Sequence, residues 1–505
     1  MKKRSMAFLL QLCIAAFSFN CAVAQWTNVG SAGFSAGGAY YQSLAFYNNT
    51  PYVAYNDAAN ANKTTVMKFN GTAWETVGSA GFSAGEAFHQ SIAFNGSIPY
   101  VAYQDRGNSD KTTVMKFNGT AWETVGSAGF SAGQADYQSL AFNGSTPYVA
   151  YQDVVNDNKT TVMKFNGTAW ETVGGAGFSA GESYFQSLAF NGSTPYVAYQ
   201  DVVNDNKTTV MKFNGTAWEA VGSAGFSAGW AGYQSLAFNG NTPYVAYKDD
   251  YTKTTVMKFN GTAWELVGSA GFSAGAADDQ SLAFNGSTPY VAYMDAGNSY
   301  KTTVMKFNGT AWETVGSPGF SAGEANYQSL AFSGNTPYVA YKDVGNGGKT
   351  TVMKFVDATF PFTYNGNGNS GGTAPVDANS PYTVGTTVTV LGAGTLVKTG
   401  YTFNGWNTAA NGSGTAYTAG ATFAMPAENV TLYAQWTCLI TIPDPNFKAY
   451  LIANTAINTN LDNEIQCSEA SAYTGAIDVT NKSISDLTGI EAFVNITGLF
   501  CGHNT

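Results

Sequence analysis

Seven times along the chain a Gln-Ser pair opens an apolar run. The residue before that pair is, in turn, Tyr41, His89, Tyr137, Phe185, Tyr233, Asp279 and Tyr327. Five of these are aromatic, and Trp230 lies close by. Aromatic side chains at the mouth of a rigid scaffold can stack on sugars or anchor a protein partner, because they carry a large contact area. Tyr41, His89, Tyr137, Phe185, Trp230, Tyr233 and Tyr327 are therefore the candidate ligand-binding residues. Two structural readings compete with this one. Drift after duplication leaves the same variability in surface loops, and the rings could simply pack on a neighbouring element.

Groups for bond-breaking chemistry are missing. His89 and His503 are the only histidines, which leaves no catalytic triad and no His-based metal cluster. No pair of carboxylates stands out against the repeat background, as glycoside hydrolysis requires. The chain is expected not to be an enzyme. An aspartate closes one apolar run in every unit (Asp57, Asp105, Asp153, Asp201, Asp249, Asp295, Asp343), and a lysine opens the next, from Lys63 to Lys349. The expected role is turn capping, with an Asp–Lys pair worth under about 1 kcal/mol. A ring of calcium sites there would need more oxygen ligands than this.

A second ligand set lies near the C-terminus. In INTNLDNEIQCSE the residues Asn458, Asn460, Asp462, Glu464, Gln466 and Glu469 fall at the ligand spacing of an EF-hand loop, with Ile465 at its apolar position. The first place lacks its usual Asp, and Asn463 replaces the usual Gly. Calcium is thus the one candidate cofactor, held weakly through Asn458, Asn460, Asp462, Glu464 and Glu469. A plain polar loop is the alternative.

The elements that position these residues are written in the repeats. Tryptophan recurs at Trp26, Trp74, Trp122, Trp170, Trp218, Trp264 and Trp312, 48 residues apart except for one interval of 46. Each unit holds four short apolar runs of the type SLAF, PYVAY, TTVMKF and AWETVG. They are rich in Val, Thr, Tyr and Phe and bounded by turn residues. In most units Asn-Gly separates the first run from the second and the third from the fourth, a hairpin signal because both residues tolerate positive φ. Both alternating faces of PYVAY and TTVMKF are apolar, as strands packed on two sides should be. Four antiparallel strands repeated seven times predict a mainly β chain whose residues 25–356 form a seven-bladed β-propeller. The ends support a closed ring over an open solenoid. QWTNVG at the start is a lone fourth strand, and Lys349–Phe355 at the end is a third strand with no fourth after it. The first can complete the last blade and remove the exposed edges.

Units differ mainly in the segment before Gln-Ser and in the segment after the second run. In a four-stranded blade both emerge at one end of the ring, so one end is variable and the other uniform. FNGTAWETV faintly resembles the Asp-box hairpin of sialidase-like propellers. That family holds its substrate carboxylate with three arginines, whereas beyond Arg4 this chain has only Arg106.

Residues 1–24 read as a secretory signal peptide, with Lys2, Lys3 and Arg4, an apolar run, and Ala22-Val23-Ala24 as the cleavage site. Asn20 is a poor fit to a lipobox before Cys21, so soluble export is expected over lipidation. No later run is long enough to span a bilayer. The formal net charge is −10, and the missing Lys and Arg clusters exclude nucleic acid. Beyond the leader only Cys438, Cys467 and Cys501 remain. An odd count cannot pair completely, and their pairing stays open.

Composition shifts at Asp357. FTYNGNG, GYTFNGWNTAANGSGT and TLYAQW make residues 357–437 resemble the internalin B-repeat (Listeria–Bacteroides repeat) family, which implies a small β-grasp-like surface module. Tyr364, Tyr401, Trp406 and Trp436 are expected in its core. From residue 438 to 505, IPDPNFKAYLIANTA predicts a helix after an Asp-Pro start. The ending VNITGLFCGHNT places Ile496, Leu499, Cys501 and Asn504 at the marker positions of a leucine-rich repeat. The segment resembles the N-terminal cap of surface leucine-rich-repeat proteins, a short α/β unit expected to be the start of a truncated array. The whole reads as a secreted or cell-surface (outer membrane-associated) monomer for adhesion or recognition, its partner an extracellular protein or glycan. A glycan-binding lectin and a passive stalk are the alternatives.

Overall fold

The computed structural model describes residues 24–250 and 252–504. The expected signal peptide lies outside the described residues, apart from Ala24. Residues 24–356 and 357–504 belong to separate compact units.

The first unit is the propeller. Six sheets each contain four consecutive antiparallel strands, and the seventh is completed by the N-terminal strand Gln25–Asn28 beside Lys349–Val356. Gln25 pairs with Val356 and Trp26 with Phe355. Each first strand touches the first strands of both neighbouring sheets, including those of sheets one and seven, so the ring is closed. Apolar faces on both sides of the middle strands explain this stacking. Val149, Ala150 and Tyr151 of Thr146–Asp153 are all buried and divide between two blade-to-blade cores.

Two hydrogen bonds and one ring stack recur between blades. Each repeat tryptophan donates its indole N–H to a backbone carbonyl of the preceding linker, as Trp122 does to Val77 at 2.7 Å. The same indole stacks on the linker phenylalanine, Phe82, with ring centroids 4.3 Å apart. The serine of Gln-Ser accepts an N–H from the next blade's first strand: Ser91 Oγ takes that of Leu140 at 3.0 Å. Gly126 shows why AWETVG must end in glycine. Its φ is +73°, and a Cβ there would stand 2.9 Å from Phe165.

Six of the seven repeated aspartates are buried, Asp249 being half-buried, and they hold turns, as expected, but their partners are not the lysines. Asp153 accepts hydrogen bonds from Thr161 (2.8 Å) and Asn156 (2.9 Å). Among the described residues none of the seven forms an ion pair with a strand-opening lysine. A recurring ion pair lies instead at the uniform end, where Lys164 meets Glu171 at 3.2 Å across the third hairpin; at the variable end Arg106 pairs with Glu86 and Lys248 with Asp278. Each Asp stands opposite its cross-strand Lys, yet its carboxylate is taken by Thr and, as in Asp153, by Asn.

In the second unit, Phe362–Asn365 pairs in parallel with Val430–Cys438, which pairs antiparallel with Tyr401–Asn407. Trp406 is the largest buried side chain, and Tyr364 and Trp436 pack against the same core. Tyr401 does not: it is 41% exposed and lies under the Lys398 ammonium. It sits at the end of its strand, beyond the reach of the core.

The helix Pro445–Ala453 is capped by Asp444, whose carboxylate accepts N–H bonds from Asn446, Phe447 and Ser485. These bonds stabilise the anion and hold its pKa down at about 2. Cys438 and Cys467 form a disulfide, and Cys501 is free and exposed. Ala476–Asp478 and Gly498–Phe500 pair in parallel. Among the described residues no helix is long and apolar enough to cross a membrane.

Candidate functional site

The first strand of every blade carries a bulge at one place. In Ala135–Asn143, pairing with the second strand skips from Asp136 to Ser139, leaving Tyr137 and Gln138 out of register. Tyr137 then takes φ +56°, and its six counterparts lie between +53° and +59°. None of the seven is glycine. A left-handed conformation at non-glycine residues costs roughly 1 kcal/mol or more and persists only where the surroundings enforce it. The geometric effect is specific. In a regular strand Tyr137 and Gln138 would point to opposite faces; the bulge turns both toward the ring axis.

Seven bulges therefore build one cavity of about 230 Å³, lined by the seven variable residues and the seven glutamines that follow them. Tyr41, His89, Tyr137, Phe185, Tyr233 and Tyr327 all line it, as the sequence predicts. Trp230 does not. Its indole lies over Gly232, where a Cβ would stand only 2.4 Å from the ring. Two lining groups were not among the candidates. One is Asp279, which fills the sixth position of the row. The other is the glutamine ring.

The aromatic side chains lean on one another around the axis. Centroids are 4.8 Å apart for Tyr327–Tyr41, 4.6 Å for Tyr41–His89, 4.7 Å for His89–Tyr137, 5.0 Å for Tyr137–Phe185 and 4.6 Å for Phe185–Tyr233. Tilts between neighbours run from 34° to 55°. At these spacings the rings cover one another's faces like overlapping vanes. The series breaks at Asp279, between Tyr233 and Tyr327.

Beneath the rings, Gln138 Nε2 donates to Ala135 O of its own blade (2.7 Å) and to Thr112 Oγ1 of the preceding one (3.3 Å). All seven glutamines are nearly buried, and all seven Oε1 atoms lack a hydrogen-bond partner. Such a layer was visible in the sequence only as a polar residue kept in every unit at an otherwise apolar strand.

Two groups titrate abnormally here. Protein atoms crowd His89, and burial lowers its pKa to about 4, so it is neutral at pH 7. Asp279 is crowded too, and burial raises its pKa to about 6 although Oδ2 accepts the Tyr327 N–H at 2.6 Å. The phenols of Tyr41, Tyr137, Tyr233 and Tyr327 are all pushed upward, chiefly by burial. The Tyr41 and Tyr327 hydroxyls hydrogen-bond each other.

The two variable segments meet at this end of the ring. Val154 N binds Gln134 O at 3.1 Å, and Ala135 N binds Asp110 O at 3.0 Å. The Asn-Gly hairpins stand at the opposite end, where Asn143 Nδ2 reaches Ser193 O of the next blade at 3.2 Å.

In the EF-hand-like loop the candidate ligands are engaged within the chain. Glu469 Oε1 accepts from Thr459 N (2.8 Å) while Oε2 caps Gln466 N (3.0 Å). Glu464 pairs with Lys448 at 2.7 Å, Asn460 bonds Asp462, and Asn458 Nδ2 bonds Asp462 O. Among the described residues no three His, Cys, Asp or Glu side chains converge as a metal-ligand group.

Residues 360–435 match the Listeria-Bacteroides repeat domain. A 73-residue stretch is 49% identical to a Gly-rich membrane protein of Evansella cellulosilytica, and a second membrane protein of that organism is 47% identical over 73 residues. Each match covers 14% of this chain, and the chain spans only 8% and 11% of those relatives' lengths. Among solved structures the chain is similar to AofleA from Arthrobotrys oligospora, with 11% identity, a TM-score of 0.40, and 58% of this chain and 88% of that one covered. It is also similar to Trypanosoma rangeli sialidase, with 10% identity, a TM-score of 0.41, and 66% and 60% covered. For polysaccharide lyase Uly1 the values are 10%, 0.43, and 69% and 94%. Neighbours this distant assign no ligand, residue or activity to the chain.

Proposed function

We propose that this chain is an exported, surface-associated recognition protein that holds a macromolecular partner at the variable end of its propeller and performs no chemistry on it. One observation carries the reading. A ring uniform in its strands and hairpins turns one variable side chain per blade, through a strained bulge, into a single axial cavity. The rings also pack on one another, and what supports a ligand role is that they converge on an open axial cavity.

The setting is supported by the Listeria-Bacteroides repeat and by the membrane proteins that share sequence with the chain. The C-terminal segment fits the cap of a leucine-rich repeat. Its two parallel strands stand one repeat apart, and the Asn504 side chain accepts Lys482 N at 2.9 Å and donates to Val479 O at 2.7 Å, as a repeat-stacking asparagine would. A non-catalytic role is supported by the cavity's contents: one carboxylate with no second acid opposite it, and an imidazole that stays neutral inside an aromatic row.

The full chain, labelled and applied to arrays of extracellular proteins and of glycans, tests this. A specific ligand should lose at least tenfold in affinity on Tyr137→Ala and be indifferent to Lys164→Ala at the opposite end. Binding insensitive to Tyr137→Ala, or no binding on either array, would overturn the reading.

A further inference from the structure

The axial cavity has an unusual balance of groups. It offers one carboxylate and four phenolic hydroxyls, above a layer of glutamines whose unpartnered carbonyl oxygens are themselves buried. No lysine or arginine lines it, and its one imidazole is neutral. The cavity therefore carries one negative charge and no positive one, and nothing there would compensate an anion.

The carboxylate itself is unmatched. Asp279 Oδ2 takes the Tyr327 N–H, and among the described residues no Lys, Arg or His forms an ion pair with it. Lys248, the nearest cation it senses, is bonded to the adjacent Asp278. Asp279 also occupies the break in the aromatic row. Tyr233 and Tyr327, the two ends of that row, each have an axial ring neighbour on one side only. The gap between them presents a carboxylate flanked by two phenol rings, while the other rings cover each other's faces.

Resting on the reading that this cavity is the ligand site, we propose that it takes a primary alkylammonium group, presented as an exposed lysine side chain on a protein partner, with Asp279 as its counter-charge. Carboxylate and ring faces both attract a desolvated ammonium. A lysine stem lays its methylenes against the rings and carries its charge to the polar end. A guanidinium suits the site less, because its fork wants two carboxylate oxygens and one is engaged by Tyr327. A sugar suits it less as well, because stacking needs ring faces that this row spends internally.

The test is calorimetric titration of the full chain with Nα-acetyl-lysine methylamide. Nα-acetyl-norleucine methylamide, Nα-acetyl-arginine methylamide and glucosamine are the comparisons. Saturable binding of the lysine amide alone is expected, with an affinity in the millimolar range that falls at least tenfold in Asp279→Asn. Asp279→Tyr, which fills the gap with another ring, should abolish it; melting curves show whether both variants remain folded. Below pH 6 the affinity should fall about tenfold per pH unit as Asp279 takes up its proton. The other groups facing Asp279 are Asp278, Lys248, Tyr41, Tyr233 and Tyr327, and the phenols among them stay protonated throughout.

Equal binding by Asp279→Asn, a preference for glucosamine or the arginine amide, or no binding of the lysine amide would overturn the proposal. Its failure is separable from failure of the site itself. A macromolecular ligand lost on Tyr137→Ala but kept on Asp279→Asn leaves the site standing and removes the cation. Lysine-amide binding beside a macromolecular ligand indifferent to Tyr137→Ala does the reverse.

Discussion

His89 and Asp279 sit in the same cavity and pull stability in opposite directions across the same pH range. His89 has its folded pKa lowered from 6.5 to about 4. The folded state then binds fewer protons than the unfolded one between those values, so stability falls as pH drops through that window. Asp279 is raised from 3.8 to about 6. Here the folded state binds more protons, so stability rises as pH drops from 6 toward 4. Each term is at most about 3 kcal/mol, reduced by the water that the cavity admits. The wild type should show the two nearly cancelling, and single variants should uncover them. His89→Phe should gain stability relative to wild type as pH falls from 6.5 to 4. Asp279→Asn should show its greatest advantage above pH 6 and lose it by pH 4. Thermal melts at unit pH intervals measure both, and three parallel curves would mean that neither group is crowded as described. Asp279 could be seen in the sequence as the odd member of an aromatic row. Its consequence could not, because an unmatched charge depends on Lys248 choosing Asp278, which only the fold decides.

At the scale of the element, strands and hairpins follow from local chemistry, and so they were legible. Val, Thr and Tyr runs between Asn-Gly pairs leave few alternatives. The bulge was not legible. Its residues carry no alternation of their own, and Tyr137-Gln138 reads equally well as two ordinary strand positions on opposite faces. Trp230 was misplaced for the same reason: nearness in sequence to the row says nothing about which side of a bulged strand a ring will take. Tyr401 was misread as core because its aromatic type outweighed its position at a strand end. The tryptophan rung gives the element-scale prediction. Trp122 is nearly buried, stacks on Phe82 and donates to Val77 O. Trp122→Phe keeps an apolar ring but leaves that carbonyl without its indole donor, a loss of about 1 kcal/mol. Trp122→Ala adds a cavity between two blades and should cost about 3–5 kcal/mol. Urea unfolding of the two variants gives the comparison; equal effects would mean that the hydrogen bond, not the packing, carries the contact.

In the propeller as a whole, four residues complete the last sheet and add to the contacts that close the ring. Gln25–Asn28 pairs with the last strand of the repeat region, across a sequence separation of more than 300 residues. Loop-closure entropy grows only with the logarithm of length, so this pairing costs little more than a shorter one once the blades are stacked. What it adds is edge protection, since without it sheet seven would present an unpaired strand in Lys349–Val356. Trp26 is the pin: its indole donates to Val315 O at 2.7 Å and stacks on Phe320 with centroids 4.2 Å apart. Locally it makes the same contacts as Trp122. The consequences of losing it should differ. Trp122→Ala leaves its strand joined to its sheet by a hairpin, whereas Trp26→Ala loosens a strand that no hairpin joins to its sheet. Amide hydrogen exchange should therefore accelerate selectively in Thr336–Asp343 and Lys349–Val356 of Trp26→Ala, and stay near wild type in the sheets on the far side of the ring. In Trp122→Ala any acceleration should be confined to the blades that its indole joins. If the two variants exchanged alike, closure would contribute no more than any other rung, and the offset between the ends of the repeat region and its blades would have no mechanical purpose.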